Sequence, residues 1–402
     1  MSRPYQICTR CIMDTSDPEI VFDAEGVCHH CKAYETRAQN ELFSRETREA
    51  KLQALLAEIK RAGRKSDYDC VIGVSGGVDS TMVAVKVKEF GLRPLALHVD
   101  NGWNSELAVH NIERALKKLD IDLYTIVLDW DEFRELQLAF LHSSVANIEI
   151  PTDHALSSLL FKTASDHGIK YIITGANVVS EATMPTSWMH DSRDVKLLRA
   201  IHKQFGTRPL RTYPACSPAR YFQYIVLKRI KYVPILNYLE YNKAEAKAYI
   251  QKELGWRDYG GKHYESVFTR FFQGYILPEK FNMDKRRPHL SSLICSKQMT
   301  RDEALAELRN PAYPAALFKE DYDLFLKKMR LSAEKFDAIM KAPPKAHTDY
   351  ANGFFFRNRS WIIPLAKSFV KPKSLKRTPA ATAPEPSAAP SSSPTDASLR
   401  SG

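Results

Sequence analysis

Apolar positions recur along this chain with two different periods, and the change between them divides it. Leu52, Leu55, Leu56 and Ile59 stand at i, i+3, i+4 and i+7, one face of a helix that Gly63 closes. From Asp67 short unbroken apolar runs take over: 70–74, 95–99, 124–128 and 170–174 read as strands. Helical patterns over 81–90, 106–119, about 132–141 and 155–167 separate them. Strands of this kind joined by helices predict a doubly wound α/β fold, a parallel sheet covered on both faces. Ligands then belong beyond the carboxyl ends of the strands. After Ala182 the alternation stops, and residues to about 370 predict mostly helix around an aromatic and basic centre. From Lys371 the chain is Pro, Ala and Ser, too poor in aliphatic groups to build a core, and is expected to be disordered. No internal repeat is visible.

The organisation expected is therefore a cysteine-bounded unit over 1–45, a linking helix over 46–66, and an α/β domain over 67–255. A helical substrate or partner region over 256–370 and a tail over 371–402 follow. The aromatic stretches at 354–356 and 361–363 are expected to dock against the body.

Composition narrows the class. No apolar run approaches the roughly 18 residues of a spanning helix, and the N-terminus lacks the apolar core of an export signal. A cytoplasmic protein with no membrane partner is expected. The net charge is +11; the tail's five basic and two acidic residues leave +8 on the body. Such an excess favours polyanionic partners: nucleic acid, nucleotides or phosphorylated sugars.

Candidate chemistry begins at Ser75-Gly76-Gly77-Val78-Asp79-Ser80, between the first strand and its helix. Paired glycines let backbone approach a phosphate closely, and a helix start offers free amides and a positive dipole end. Ser75 and Ser80 supply hydroxyls, and Asp79 is placed to hold the Mg²⁺ that accompanies phosphates. No lysine completes a Walker A loop, and the G-x-G-x-x-G dinucleotide pattern is absent. The segment resembles the PP-loop of ATP-pyrophosphatases, which cut ATP between the α and β phosphates. By that resemblance Ser75, Gly76, Gly77, Asp79 and Ser80 are the catalytic set. Two more strand ends are candidate nucleotide or magnesium contacts: His98, Asp100 and Asn101, then Thr174, Gly175, Asn177 and Glu181.

Cys8-Thr9-Arg10-Cys11 and Cys28-His29-His30-Cys31 have the C-x₂-C spacing of a structural zinc site with four thiolate ligands. An iron–sulfur cluster takes the same four ligands. A hairpin through Ile20-Val21-Phe22 and the turn at 23–26 is expected to join the two knuckles. Cys70, Cys216 and Cys295 read as unpaired, buried structural residues.

Taken together, the chain is similar to the N-acetyl sugar amidotransferases of bacterial surface-polysaccharide biosynthesis. The likeness rests on Cys8 through Pro18, on Phe22-Asp23 through Gly26 to Cys28 and Cys31, and on the loop at 75–80. Lys262-His263-Tyr264-Glu265-Ser266, the stretch 268–275, Asp284-Lys285-Arg286-Arg287 and His289-Leu290-Ser291-Ser292-Leu293 extend it, over about 5–310. The resemblance implies a PP-loop fold and transfer of AMP from ATP to an acetamido oxygen of a nucleotide-linked sugar. Ammonia then displaces AMP and leaves an acetamidine. Lys262, His263, Arg270, Lys285, Arg286 and Arg287 are the candidate anion clamp for that sugar nucleotide. ATP, Mg²⁺ and structural Zn²⁺ are the implied cofactors. Since no glutaminase nucleophile is recognisable, ammonia is expected from separate glutaminase and cyclase-like subunits. A nucleic-acid partner is not expected on this reading. The rival classes are a PP-loop tRNA thiolation enzyme, which needs a reactive cysteine at the loop, and a non-catalytic zinc module with a vestigial loop.

Overall fold

The computed structural model describes residues 3–353 of the 402; the aromatic stretches at 354–356 and 361–363 and the tail lie outside them. Helices α1 (His29–Glu41) and α2 (Arg45–Ala62) lead into strand β1 (Cys70–Gly73) and helix α3 (Val78–Glu89). β2 (Pro94–Asp100), α4 (Glu106–Leu119), β3 (Asp122–Val127), α5 (Trp130–Ser143), α6 (Ile150–Asp166) and β4 (Tyr171–Thr174) continue the alternation. Next come α7 (Val178–Glu181), α8 (Val195–Phe205), α9 (Pro218–Phe222), β5 (Lys231–Pro234) and α10 (Lys243–Leu254). Helices α11 (Val267–Phe271), α12 (Leu277–Phe281), α13 (Arg286–Cys295), α14 (Arg301–Arg309), α15 (Ala315–Met329) and α16 (Ala333–Lys341) complete the described chain. No helix among the described residues is long and apolar enough to cross a membrane.

The five strands lie parallel in the order β3-β2-β1-β4-β5. The doubly wound α/β reading therefore holds. Successive residues of the central strands feed opposite cores: Cys70 and Ile72 join α2, α3 and α10, while Val71, Leu95, Leu97 and Ile172 join α6 and the α9 region. A separate aromatic core of Phe268, Phe271, Phe272, Phe325 and Phe336 packs α11 and the helices after it against α5 and α8.

Two expectations need correction. The alternation does not stop at Ala182, because β5 pairs with β4 from Tyr171↔Lys231 to Thr174↔Pro234. Four residues, with Lys231 and Tyr232 exposed and a proline at the end, give no apolar run to detect; the position at the sheet edge permits this. At the other edge β3 is open to solvent, with Val127 70% exposed, so cover on both faces is confined to the central strands.

The strand order reverses between β1 and β4, since β2 and β3 extend one way and β4 and β5 the other. Ligand crevices in such sheets open at that reversal, beyond the carboxyl ends. The 75–80 loop follows β1 and the 175–181 segment follows β4.

Candidate active site at the sheet reversal

The loop is held open by contacts from distant parts of the chain. Gly76 has φ +83°, and a Cβ there would lie 2.8 Å from the Tyr259 hydroxyl, so only glycine suits the position. Its carbonyl accepts from Trp256 Nε1 at 2.7 Å and from the Tyr259 hydroxyl at 2.9 Å. Asn111 Nδ2 in turn donates to Tyr259 at 2.9 Å. Pinning the carbonyl away from the crevice leaves the amides facing it. Gly77, at the N-cap of α3, has no side chain to cap the first turn, so those amides are available to an anion. Ser80 Oγ donates to the Gly77 carbonyl at 3.1 Å and stands 3.2 Å from Ser75 Oγ, bracing the two ends of the loop.

Asp79 is the electrostatic centre. Its carboxylate accepts from the Tyr241 hydroxyl and from Lys243 Nζ at 2.9 Å. Burial opposes its charge, but Lys243, Lys262 and Tyr241 outweigh that and hold it below the usual carboxylate range. A Cβ on Gly175 would come within 3.0 Å of the Asp79 backbone, so the β4 end packs directly on the loop. Beyond it Lys262 Nζ reaches Glu181 at 3.2 Å and lies 3.0 Å from His289 Nδ1. Burial draws Lys262 below its ordinary value despite Glu181. His289 is kept neutral by burial and by the cations Lys262 and Lys243. Its Nδ1 also lies 2.9 Å from the Ser180 carbonyl, and it donates there or accepts from Lys262 according to tautomer.

The predicted site residues separate into groups. Ser75, Gly76, Gly77, Val78, Asp79, Ser80, Gly175, Glu181 and Lys262 surround the crevice. Asn177 caps α7, accepting from Ser180 N at 2.8 Å. His98, Asp100 and Asn101 brace the loop after β2: His98 Nδ1 is 3.1 Å from the Val74 carbonyl, Asp100 accepts from Gly102 N and Asn101 from Trp103 N. Thr174 is buried beside the Tyr232 phenol of β5.

The six-cation clamp is not assembled as one set. Arg270 donates through Nε and Nη2 to buried Asp321. Arg286 folds back on Asp284, and Arg287 binds Asp14 and the Ile12 carbonyl of the cysteine unit. Lys285 lies 3.7 Å from Glu149, and His263, partly exposed at φ +63°, lies 3.6 Å from Glu265. Each long cation has found its own acid, which residue type alone does not reveal. Sequence reading missed Tyr241, Lys243, Trp256, Tyr259 and Asn111. None sits in a motif; only His289, inside the H-L-S-S-L run, carried a local signal.

The four knuckle cysteines are buried with ligand atoms within 4.8 Å of one another. Sγ separations of 3.9 Å (Cys8–Cys31), 3.6 Å (Cys11–Cys28) and 3.8 Å (Cys28–Cys31) match the roughly 3.8 Å edge of a tetrahedron with Zn–S near 2.3 Å. Backbone N–H groups of Cys11, Met13 and Cys28 point at these sulfurs, as thiolates require. Four soft donors in that arrangement fit zinc. The expected joining turn is present, with Phe22 bridged to Cys28 and Gly26 at φ +76°. Cys295 is not isolated as expected: its Sγ lies 3.9 Å from that of Cys31.

α13 joins the two sites. Ser291 Oγ accepts from Ile12 N, Arg287 binds the Ile12 carbonyl, and Ser292 Oγ accepts from Thr183 N beside α7. His289, in the first turn of α13, meets Lys262, and Cys295, at its end, lies beside Cys31. Residues 265–361, which include α13, match the family model described as "LPS biosynthesis protein WbpG-like, C-terminal domain". This segment is WbpG-like. It carries Glu265 and His289 into the crevice and packs the cysteine unit through Arg287, Ser291 and Arg301. None of the curated proteins matches the chain. Among solved structures, NMN synthetase from Francisella tularensis overlays at 17% identity and a TM-score of 0.28, covering 47% of this chain and 72% of the other. The NH3-dependent NAD synthetase of Campylobacter jejuni gives 15%, 0.28, 51% and 94%. A predicted tRNA methyltransferase subunit of Methanocaldococcus jannaschii gives 17%, 0.23, 45% and 73%.

Proposed function

We propose that the chain is an AMP-forming amidotransferase that converts the acetamido group of a nucleotide-activated sugar into an acetamidine for surface-polysaccharide biosynthesis. One observation carries this reading: the WbpG-like segment supplies part of the wall of a crevice whose floor is an open, glycine-built loop. An anion-binding loop and a polysaccharide-associated segment thus share one site.

In this mechanism the α3 amides and the Ser75 and Ser80 hydroxyls hold the β and γ phosphates, Asp79 would hold Mg²⁺, and Lys243 and Lys262 neutralise charge developing on the leaving pyrophosphate. Mg²⁺ would draw the phosphate charge toward Asp79. The acetamido oxygen attacks the α-phosphorus, the bond to the bridging oxygen breaks, and pyrophosphate leaves. Ammonia then adds to the activated carbon, and AMP departs with the C–O electron pair as one N–H proton is lost. Cys8, Cys11, Cys28 and Cys31 would hold a structural zinc. Separate glutaminase and cyclase-like subunits supply the ammonia.

A thiolation chemistry needs a thiolate at the loop. Cys70 is buried in β1, and burial pushes the Cys216 thiol up to about 11, which speaks against that alternative.

The test is direct. Protein with ATP, Mg²⁺, a nucleotide-linked acetamido sugar and ammonium should release AMP and yield a product about one mass unit lighter, oxygen having been replaced by NH. Formation of ADP and phosphate instead would refute the adenylation step.

A further inference from the structure

The excess positive charge of this chain is concentrated in one stretch. From 195 to 239 the sequence carries nine Lys and Arg residues and neither Asp nor Glu, more than the whole excess of +8 on the body. In the middle of it α9 runs on through a wider helical turn, Gln223–Leu227, as one helical run leading into the edge strand β5. The inner side of that run is fixed. Tyr221 and Tyr224 are buried, with ring centroids 5.6 and 6.0 Å from that of Phe161 on α6, and the Tyr221 hydroxyl donates to Ser157 Oγ at 3.0 Å.

The outer side is apolar. Phe222, Ile225, Val226 and Leu227 are between 45% and 68% exposed, and steps of three to five residues keep them on one side of such a helix. Single exposed apolar residues are ordinary, whereas four on one anchored face mark a contact surface. Cations frame them: Arg220 before, Lys228 and Arg229 after, and Lys170, whose Nζ donates to the Lys228 carbonyl at 3.0 Å. Asp166 and Glu58, the acids met around the run, are already paired with Lys162 and Lys231. No carboxylate among the described residues pairs with the four framing cations.

We infer that this face docks on the surface of an anionic lipid bilayer, the four apolar side chains entering the boundary between headgroups and acyl chains while the cations meet lipid phosphates. Nucleic acid would satisfy the cations and leave the apolar tips in water; a bilayer surface offers an anionic layer and an apolar layer within the depth of one side chain. The face lies at the amino ends of the strands, since Lys231 N, at the start of β5, donates to the carbonyl of Lys170, just before β4. Docking there leaves the crevice, beyond the carboxyl ends, open to nucleotides from water. The expectation of no membrane partner rested on the lack of a spanning segment, and surface docking needs none. The inference stands independently of the adenylation reading.

The test is co-sedimentation of the full-length protein with vesicles of phosphatidylcholine and phosphatidylglycerol, against phosphatidylcholine alone. Binding to the anionic vesicles should be about 100-fold tighter and should weaken as salt rises. Ile225→Ser combined with Leu227→Ser should weaken it about 10-fold. Arg220→Gln combined with Arg229→Asn should also weaken it about 10-fold; asparagine suits the left-handed backbone at 229, where φ is +55°. All four side chains are exposed, so melting temperatures should match wild type. Wild type without preference for anionic vesicles, a measurement that needs no variant, would overturn the proposal, as would undiminished binding by the serine pair. Binding of duplex DNA without binding of vesicles would overturn it in favour of a nucleic-acid surface. A dimer that the serine pair splits, with vesicles left unbound, would overturn it by showing that a second copy covers the face.

Discussion

The cysteine unit and the phosphate loop are both tight turns that gather polar atoms, yet they finish in opposite ways. At the knuckles four buried sulfurs face inward at tetrahedral spacing, and backbone amides already point at them. Four thiolates would close a zinc ion's coordination shell, so a metal held there would stabilise the fold. At the loop the glycines turn one carbonyl away onto Trp256 and Tyr259 and leave the helix-start amides facing the crevice. The first site is complete within its own ligands; the second is completed only by something that binds. α13 ties them together, so the closed site supports a wall of the open one.

The comparison can be broken first at its closed end. Cys28→Ser should lose the metal and unfold the knuckles, since structural zinc binding is worth about 10 kcal/mol or more in small domains. Metal analysis and a fall in melting temperature would check this, and retention of one zinc per chain with unchanged stability would contradict it. At the open end, Asp79→Asn should cut AMP formation about 1000-fold and lower the melting temperature at neutral pH, since Lys243 loses its paired charge. A smaller effect is expected from Gly76→Ala, about 2 kcal/mol of stability from the left-handed backbone and the Tyr259 contact, with weaker ATP binding. Smallest is Arg301→Ala, which removes donors at 3.1 Å to the Cys8 and Cys11 carbonyls. It should cost about 1 kcal/mol and leave zinc bound, read by thermal melting and metal analysis.

Within the α/β domain two carboxylates differ in their dependence on pH. The folded-state value of Asp153 lies above its unfolded one, so its contribution to stability is complete in acid and is lost as pH rises through about 7. Asp153→Asn should therefore raise the melting temperature at pH 8 relative to wild type and change it little at pH 4. Asp79 has the opposite sign, its stabilisation present above the unfolded carboxylate value and lost as pH falls through the lower folded one.

Local signals were strong where function demands a particular residue at a particular step along the backbone. Two glycines and an aspartate between a strand and a helix, and cysteines two residues apart, are legible because the geometry lies within a few residues. The central strands were legible too, since burial on both faces forces unbroken apolar runs. β5 escaped notice because an edge strand carries half that constraint. The dispersal of the clamp's cations was not legible, because the sequence shows which residues are charged but not which acids they meet: Arg270 meets Asp321 and Arg287 meets Asp14 only once the chain folds. In the same way Lys243 reaches Asp79 across 164 residues, and Cys295 reaches Cys31 across 264. The sequence by itself determined the doubly wound sheet, the loop and the cysteine knuckles, because backbone conformation and ligand spacing are local properties. Tertiary structure alone decided which charges are spent inside the fold and which remain facing the crevice, because pairing and desolvation depend on distances between segments remote in the chain.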